Sequence, residues 1–143
     1  MKNLFLLISI IAIVISSCSA PKQTEKEVKQ RKTIKTESGL QYTIMAEGDG
    51  RTPKLGQTIS VHYIGTIQGG EQFDNTYERE KPFVFRYKIT DVIEGWDEAI
   101  AMMSTGSCWE IIVPPNLGYG DQAQSKIPAN STLIFTIEIL DIK

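Results

Sequence analysis

The sequence holds one histidine, His62, and two cysteines, Cys18 and Cys108, so chemistry built on imidazole or thiolate has few residues to draw on. These three cannot make the donor set of a metal site, and no carboxylates with ligand spacing stand beside them. The serines are scattered, with no G-x-S-x-G elbow to activate one. "EGDG" and "QGG" are rich in glycine but lack the spacing, the Lys-Ser or Lys-Thr pair and the following helix of a phosphate loop. The reading is no metal and no cofactor. What the chain does offer is aromatic residues at strand ends and loop mouths: Tyr63, Phe73, Phe83, Phe85, Trp96, Tyr119 and Phe135. Rings of this kind, with a few polar groups for orientation, line concave sites for apolar ligands. The competing reading is that they form the core of a small sheet domain.

Composition narrows the choices. With 41% apolar and 22% charged residues in 143, the chain is ordinary for one globular domain. The formal charge of −2 leaves no basic excess to hold a phosphate backbone, which argues against nucleic acid as a partner.

The N-terminus reads as a targeting segment. In "MKNLFLLISIIAIVISSC", Lys2 gives a positive start, and the apolar run that follows is shorter than the roughly twenty residues needed to cross a bilayer. The small residues before Cys18 resemble the cleavage box of bacterial lipoproteins, in which the cysteine is acylated and becomes the new N-terminus. Residues 1–17 are therefore expected to be a cleaved signal peptide, and Cys18 the lipid attachment. The alternative use of the two cysteines is a Cys18–Cys108 disulfide in an oxidising compartment. Ser19 permits sorting to an outer membrane, so the expected location is the bacterial cell envelope, outer membrane ahead of inner. Residues 18–37, nearly free of apolar side chains, read as anchor and polar linker. Residues 38–143 read as the folded domain.

Within that domain the apolar pattern has period two in several places. "LQYTI" places Leu40, Tyr42 and Ile44 on one side, and "QTISVHYIGTI" places Ile59, Val61 and Tyr63 opposite Ser60 and His62. The single histidine is thus a solvent-facing strand residue. Phe83 and Phe85 share a face of "PFVFRY"; Trp109, Ile111 and Val113 share one of "CWEIIVP", where Trp109 reads as core. "DVIEGWDEAIAMM" begins like a buried strand and ends like an amphipathic helix. In it Trp96, Ala99, Ile100 and Met103 fall at i, i+3, i+4 and i+7, and Gly106 is the expected stop. An antiparallel sheet with one buried face needs a cover, and the lone helix supplies it. The predicted class is α+β, with five to six antiparallel strands curled around one short helix.

The order of the motifs carries a resemblance. "GQTISVHYIGTIQGGEQFDNTYEREKPFVF", "DVIEGWDEAIAMMSTG", "VPPNLGYG" and "IPANSTLIFTIEIL" closely resemble the FKBP-type peptidyl-prolyl cis-trans isomerases over roughly residues 38–143. "SCWEIIVPPNLGYG" looks particularly like the branch that includes the macrophage infectivity potentiators. The resemblance implies a hydrophobic pocket between sheet and helix, and acceleration of X-Pro bond rotation in exported or envelope polypeptides. It implies Asp74, Tyr119, Ile93 and Phe73 as catalytic residues. It implies Tyr63, Phe83, Val92, Ile127 and Phe135 as substrate-binding walls, Trp96 as the floor, and Arg79 as the holder of Asp74. Proline-containing polypeptides are the implied partners, and tacrolimus-like compounds the implied ligands. "GDQAQSKIP" is about a residue shorter than in well-known members, and Tyr77 and Glu78 change the loop after Asp74. The long helical dimerisation region of the infectivity-type relatives has no counterpart, so the expected state is a monomer. A non-catalytic chaperone or peptide-binding module tethered to the membrane stays open, as does a structural lipoprotein whose rings are all core.

Overall fold

The computed structural model describes residues 31–143. The stretch read as a signal peptide, Cys18 and most of the stretch read as a linker lie outside the described residues, while Cys108 is buried within the domain.

Among the described residues seven strands form one sheet: β1 (Thr33–Lys35), β2 (Gln41–Ala46), β3 (Thr58–Ile67), β4 (Gln72–Asn75), β5 (Phe83–Arg86), β6 (Cys108–Val113) and β7 (Leu133–Ile142). The helix α1 (Glu94–Met102) lies between β5 and β6, and a short 3₁₀ turn, Pro115–Leu117, follows β6. The order across the sheet is β1-β2-β6-β7-β3-β4, with every pairing antiparallel. Both β4 and β5 pair with β3, on different stretches of it, and residues 76–82 loop out between them.

Register aligns the inward sets. Ile111 pairs with Phe135, Trp109 with Ile137, Val113 with Leu133 and Val61 with Ile139, so alternate residues of three strands meet on one face. Long strands rich in Ile, Val and Thr suit this pleated, half-buried role. Ala99, Ile100 and Met103 of the helix stripe are fully buried in the same cluster. Trp109 is core, stacked on Tyr42 with ring centroids 4.6 Å apart.

The α+β class is as expected, with one strand more. β1 sits inside the stretch assigned to the linker. All three of its residues are exposed, so it has no apolar alternation to betray it. Backbone pairing with β2 and a Thr33–Thr43 hydroxyl bond of 2.9 Å hold it. Residues 91–93 are not a strand but an irregular run into the helix. Ile93 is the N-cap, and its carbonyl accepts the Trp96 and Asp97 N–H groups. Nor does Gly106 end the helix. The chain becomes extended at Met103, and Gly106 turns three residues later, with φ of 81°.

Gly95 is needed for closeness rather than for turning. It lies in the first helical turn, and a Cβ there would stand 2.7 Å from Cγ1 and 3.0 Å from Cγ2 of Val113. The helix start is thereby pressed against β6, and the next residue, Trp96, is brought beside the sheet. Gly95→Ala removes a helix-weakening glycine worth about 1 kcal/mol but overpacks this contact at a cost of about 1–3 kcal/mol. The expected outcome is a net loss of stability in denaturant unfolding; a variant more stable than wild type would show that the contact relaxes freely.

Candidate active site

A cavity of about 340 Å³ opens between the helix start, β3, β4, β7 and the two long loops. Trp96 forms its floor. The indole is only 4% exposed, yet it lines the cavity, and the neighbouring rings stand across its plane rather than parallel to it. Tyr63 stands 4.9 Å away at 90°, Phe135 5.4 Å away at 86° and Phe83 6.1 Å away at 75°. Edge-to-face contacts of this kind suit the ring quadrupoles and fix the indole's tilt. Phe73 completes the wall, edge-on to Phe135 at 5.6 Å. It fits because β3 carries Gly65 at this point. A Cβ there would lie 2.6 Å from Phe73 Cζ and 3.1 Å from Phe135 Cε1.

One wall is polar. Asp74, on β4, accepts hydrogen bonds from the Tyr63 hydroxyl, from Arg79 Nη1 and, at 2.8 Å, from the Asn75 N–H. Three donors hold the carboxylate in place, one of them charged. Tyr63 is therefore more than a wall: its phenol fastens Asp74 from inside the cavity. Ile93 also lines the cavity, and its N–H has no hydrogen bond among the described residues. Tyr119 stands at the mouth, 38% exposed, on a loop closed by Gly120 N–H to Pro115 O at 2.9 Å.

The structure gathers the expected site residues. Tyr63, Phe73, Asp74, Phe83, Val92 and Ile93 all line the cavity, as do Trp96, Tyr119, Ile127 and Phe135. Arg79 does not line it and reaches it only through Asp74. Asp91, Gln124, Ser125 and Lys126 line the mouth without having been expected. Exposed polar loop residues carry no periodicity, so nothing in the sequence singled them out. His62 is on the opposite face, as expected, but half-buried, stacked on Tyr77 at 4.5 Å. Burial pushes the Tyr77 phenol up, and a 2.7 Å bond to Glu138 and that carboxylate's charge push it the same way. No group of three or more His, Cys, Asp or Glu residues able to hold a metal occurs among the described residues.

Residues 49–140 match the family described as FKBP-type peptidyl-prolyl cis-trans isomerase. The chain belongs to this family. It is 46% identical over 108 residues to the FKBP-type peptidyl-prolyl cis-trans isomerase FkpA of Buchnera aphidicola (from Acyrthosiphon pisum), covering 76% of this chain and 44% of that protein. It is 42% identical over 107 residues to peptidyl-prolyl cis-trans isomerase FKBP1A of Xenopus laevis, covering 73% of this chain and 99% of that one. The crystal structure of FkpA from Escherichia coli superposes with a TM-score of 0.74 at 38% identity, over 80% of this chain and 53% of that one. The chain thus spans less than half the length of the Buchnera relative but nearly all of the small frog protein.

Gly65→Ala tests how the wall is made. The atoms a new Cβ would meet are ring carbons of Phe73 and, less closely, Phe135, so the domain is expected to stay folded while Phe73 is pushed into the cavity. Affinity for a tacrolimus-like ligand, measured by calorimetry, is expected to fall about five- to tenfold. Unchanged affinity in a folded variant would show that Phe73 does not set the cavity's shape.

Proposed function

We propose that this protein is a peptidyl-prolyl cis-trans isomerase that works by desolvation and hydrogen bonding, with no covalent intermediate. The observation that carries the reading is the cavity lined by Trp96, with a triply held Asp74 carboxylate in its wall and with Ile93, whose N–H has no hydrogen bond among the described residues, also lining it. An X-Pro bond turns slowly because amide resonance must be broken, a barrier of about 18–20 kcal/mol. No bond to carbon is made or cut, so the reaction needs neither nucleophile nor metal. The planar amide has the larger dipole. Moving it from water into a space walled by Tyr63, Phe73, Phe83, Val92, Trp96, Ile127 and Phe135 disfavours it relative to the twisted form.

Polar groups then select the twisted conformer. The Ile93 N–H and the Tyr119 hydroxyl meet carbonyls of the substrate. The Asp74 carboxylate, held by Tyr63, Arg79 and Asn75, acts by the field it projects across the cavity. Arg79 keeps that carboxylate in place. The effect is distributed. Tyr119→Phe removes one neutral hydrogen bond, about 0.5–1.5 kcal/mol, and is expected to slow isomerisation of a proline peptide about two- to tenfold. Asp74→Val removes a charged group and is expected to cost about ten- to a hundredfold. A folded wild type without isomerase activity would exclude this function, and total loss in Tyr119→Phe would contradict the distributed mechanism.

The substrates are proline-containing segments of exported or envelope polypeptides, and tacrolimus-like compounds compete for the same cavity. The cavity is complete within one chain, so a monomer suffices. We take Cys18 to be acylated and the protein held at a bacterial membrane, the outer one ahead of the inner. What supports this is the apolar run ending in "ISSC". The matured N-terminus is expected to carry acyl mass on Cys18 in mass spectrometry; an unmodified cysteine or an uncleaved leader would remove the anchor.

A further inference from the structure

We infer that Thr76 is a positioning residue for this site: its hydroxyl fixes the backbone of Tyr63 and, through the Tyr63–Asp74 hydrogen bond, the place of the carboxylate. The inference rests on the isomerase reading above. On the outer side of β3, the last pair with β4 is Ile64–Asn75 and the first with β5 is Val61–Phe83. His62 and Tyr63 fall in the gap and have no strand partner there. Thr76 fills it. It is fully buried, and its own N–H donates to the Tyr63 carbonyl at 3.0 Å. Its hydroxyl oxygen accepts the Tyr63 N–H at 2.8 Å and lies 3.2 Å from the Tyr63 carbonyl and 2.9 Å from His62 Nδ1.

A hydroxyl has one proton and two lone pairs. One lone pair takes the Tyr63 N–H, and the remaining proton and lone pair serve the carbonyl and the imidazole. The group is saturated, and every bond is to β3: two at Tyr63, whose phenol grips Asp74, and one at the neighbouring His62. Thr76 also lies two residues after Asp74 and three before Arg79, on the segment that carries both. One buried side chain therefore joins the strand bearing the phenol to the segment bearing the acid and its arginine. Removing its hydroxyl leaves a buried N–H without an acceptor and frees the loop to shift. Small displacements of a polar group at a reacting amide have large effects on rate.

The test is a double-mutant cycle on isomerisation of an X-Pro peptide by the full chain. Thr76→Val is expected to lower kcat about five- to tenfold with KM changed less than about twofold, and Thr76→Ser, which keeps the hydroxyl, to restore kcat to within about twofold of wild type. In an Asp74→Val background, Thr76→Val is expected to cost less than about twofold, because the group it positions is gone. An equal loss with and without Asp74, or an unaffected kcat in Thr76→Val, overturns the inference. If the valine variant does not fold, Thr76→Ala, which leaves room for water at the Tyr63 N–H, takes its place with the same outcomes. A wild type that does not isomerise overturns both readings, whereas an active wild type with additive losses overturns this one alone.

Discussion

A hollow in a small domain must be kept from closing, and here the edge-on packing of rings around Trp96 does that. An apolar space large enough for a ligand loses dispersion contacts along its lining, which favours collapse. Tyr63, Phe83 and Phe135 resist it because each meets the indole close to perpendicular, so none can lie flat across it. Two glycines make this geometry possible from below. Gly95 lets the helix start approach β6, and Gly65 lets Phe73 and Phe135 stand over β3. Floor and walls are therefore set by the absence of side chains as much as by their presence.

The polar wall depends on the same frame. Tyr63 belongs to the ring cluster by its ring and to the carboxylate cluster by its hydroxyl. A shift of β3 would disturb both together, so the dry floor and the charged wall cannot be tuned separately. The break between β4 and β5 places the loop that carries Arg79 alongside this strand. The sheet irregularity and the site are thus one feature.

Most of this was legible in the sequence for definable reasons. β3, β6 and β7 announce themselves because each buries one face and alternates accordingly. The helix stripe Trp96, Ala99, Ile100, Met103 is visible because its period is near 3.6. β1 was not visible, since an edge strand with every residue exposed is held by backbone bonds that leave no trace in side-chain type. Gly106 misled because a glycine past a helix serves a later turn as readily as a cap. Ten cavity-lining residues came from ordered motifs matched to a family. Asp91, Gln124, Ser125 and Lys126 did not, because loop residues at a mouth obey no period. The Tyr63–Asp74 bond was hidden for another reason: it joins residues eleven apart through a strand pairing that no local pattern encodes.

The exposed first strand has a geometric consequence. In the order β1-β2-β6-β7-β3-β4, Thr33–Lys35 and the strand carrying Asp74 occupy opposite margins, five neighbour spacings apart. At about 4.8 Å per spacing, that is some 24 Å measured along the sheet. Thr33 thus lies at the margin of the sheet remote from the strand that carries Asp74.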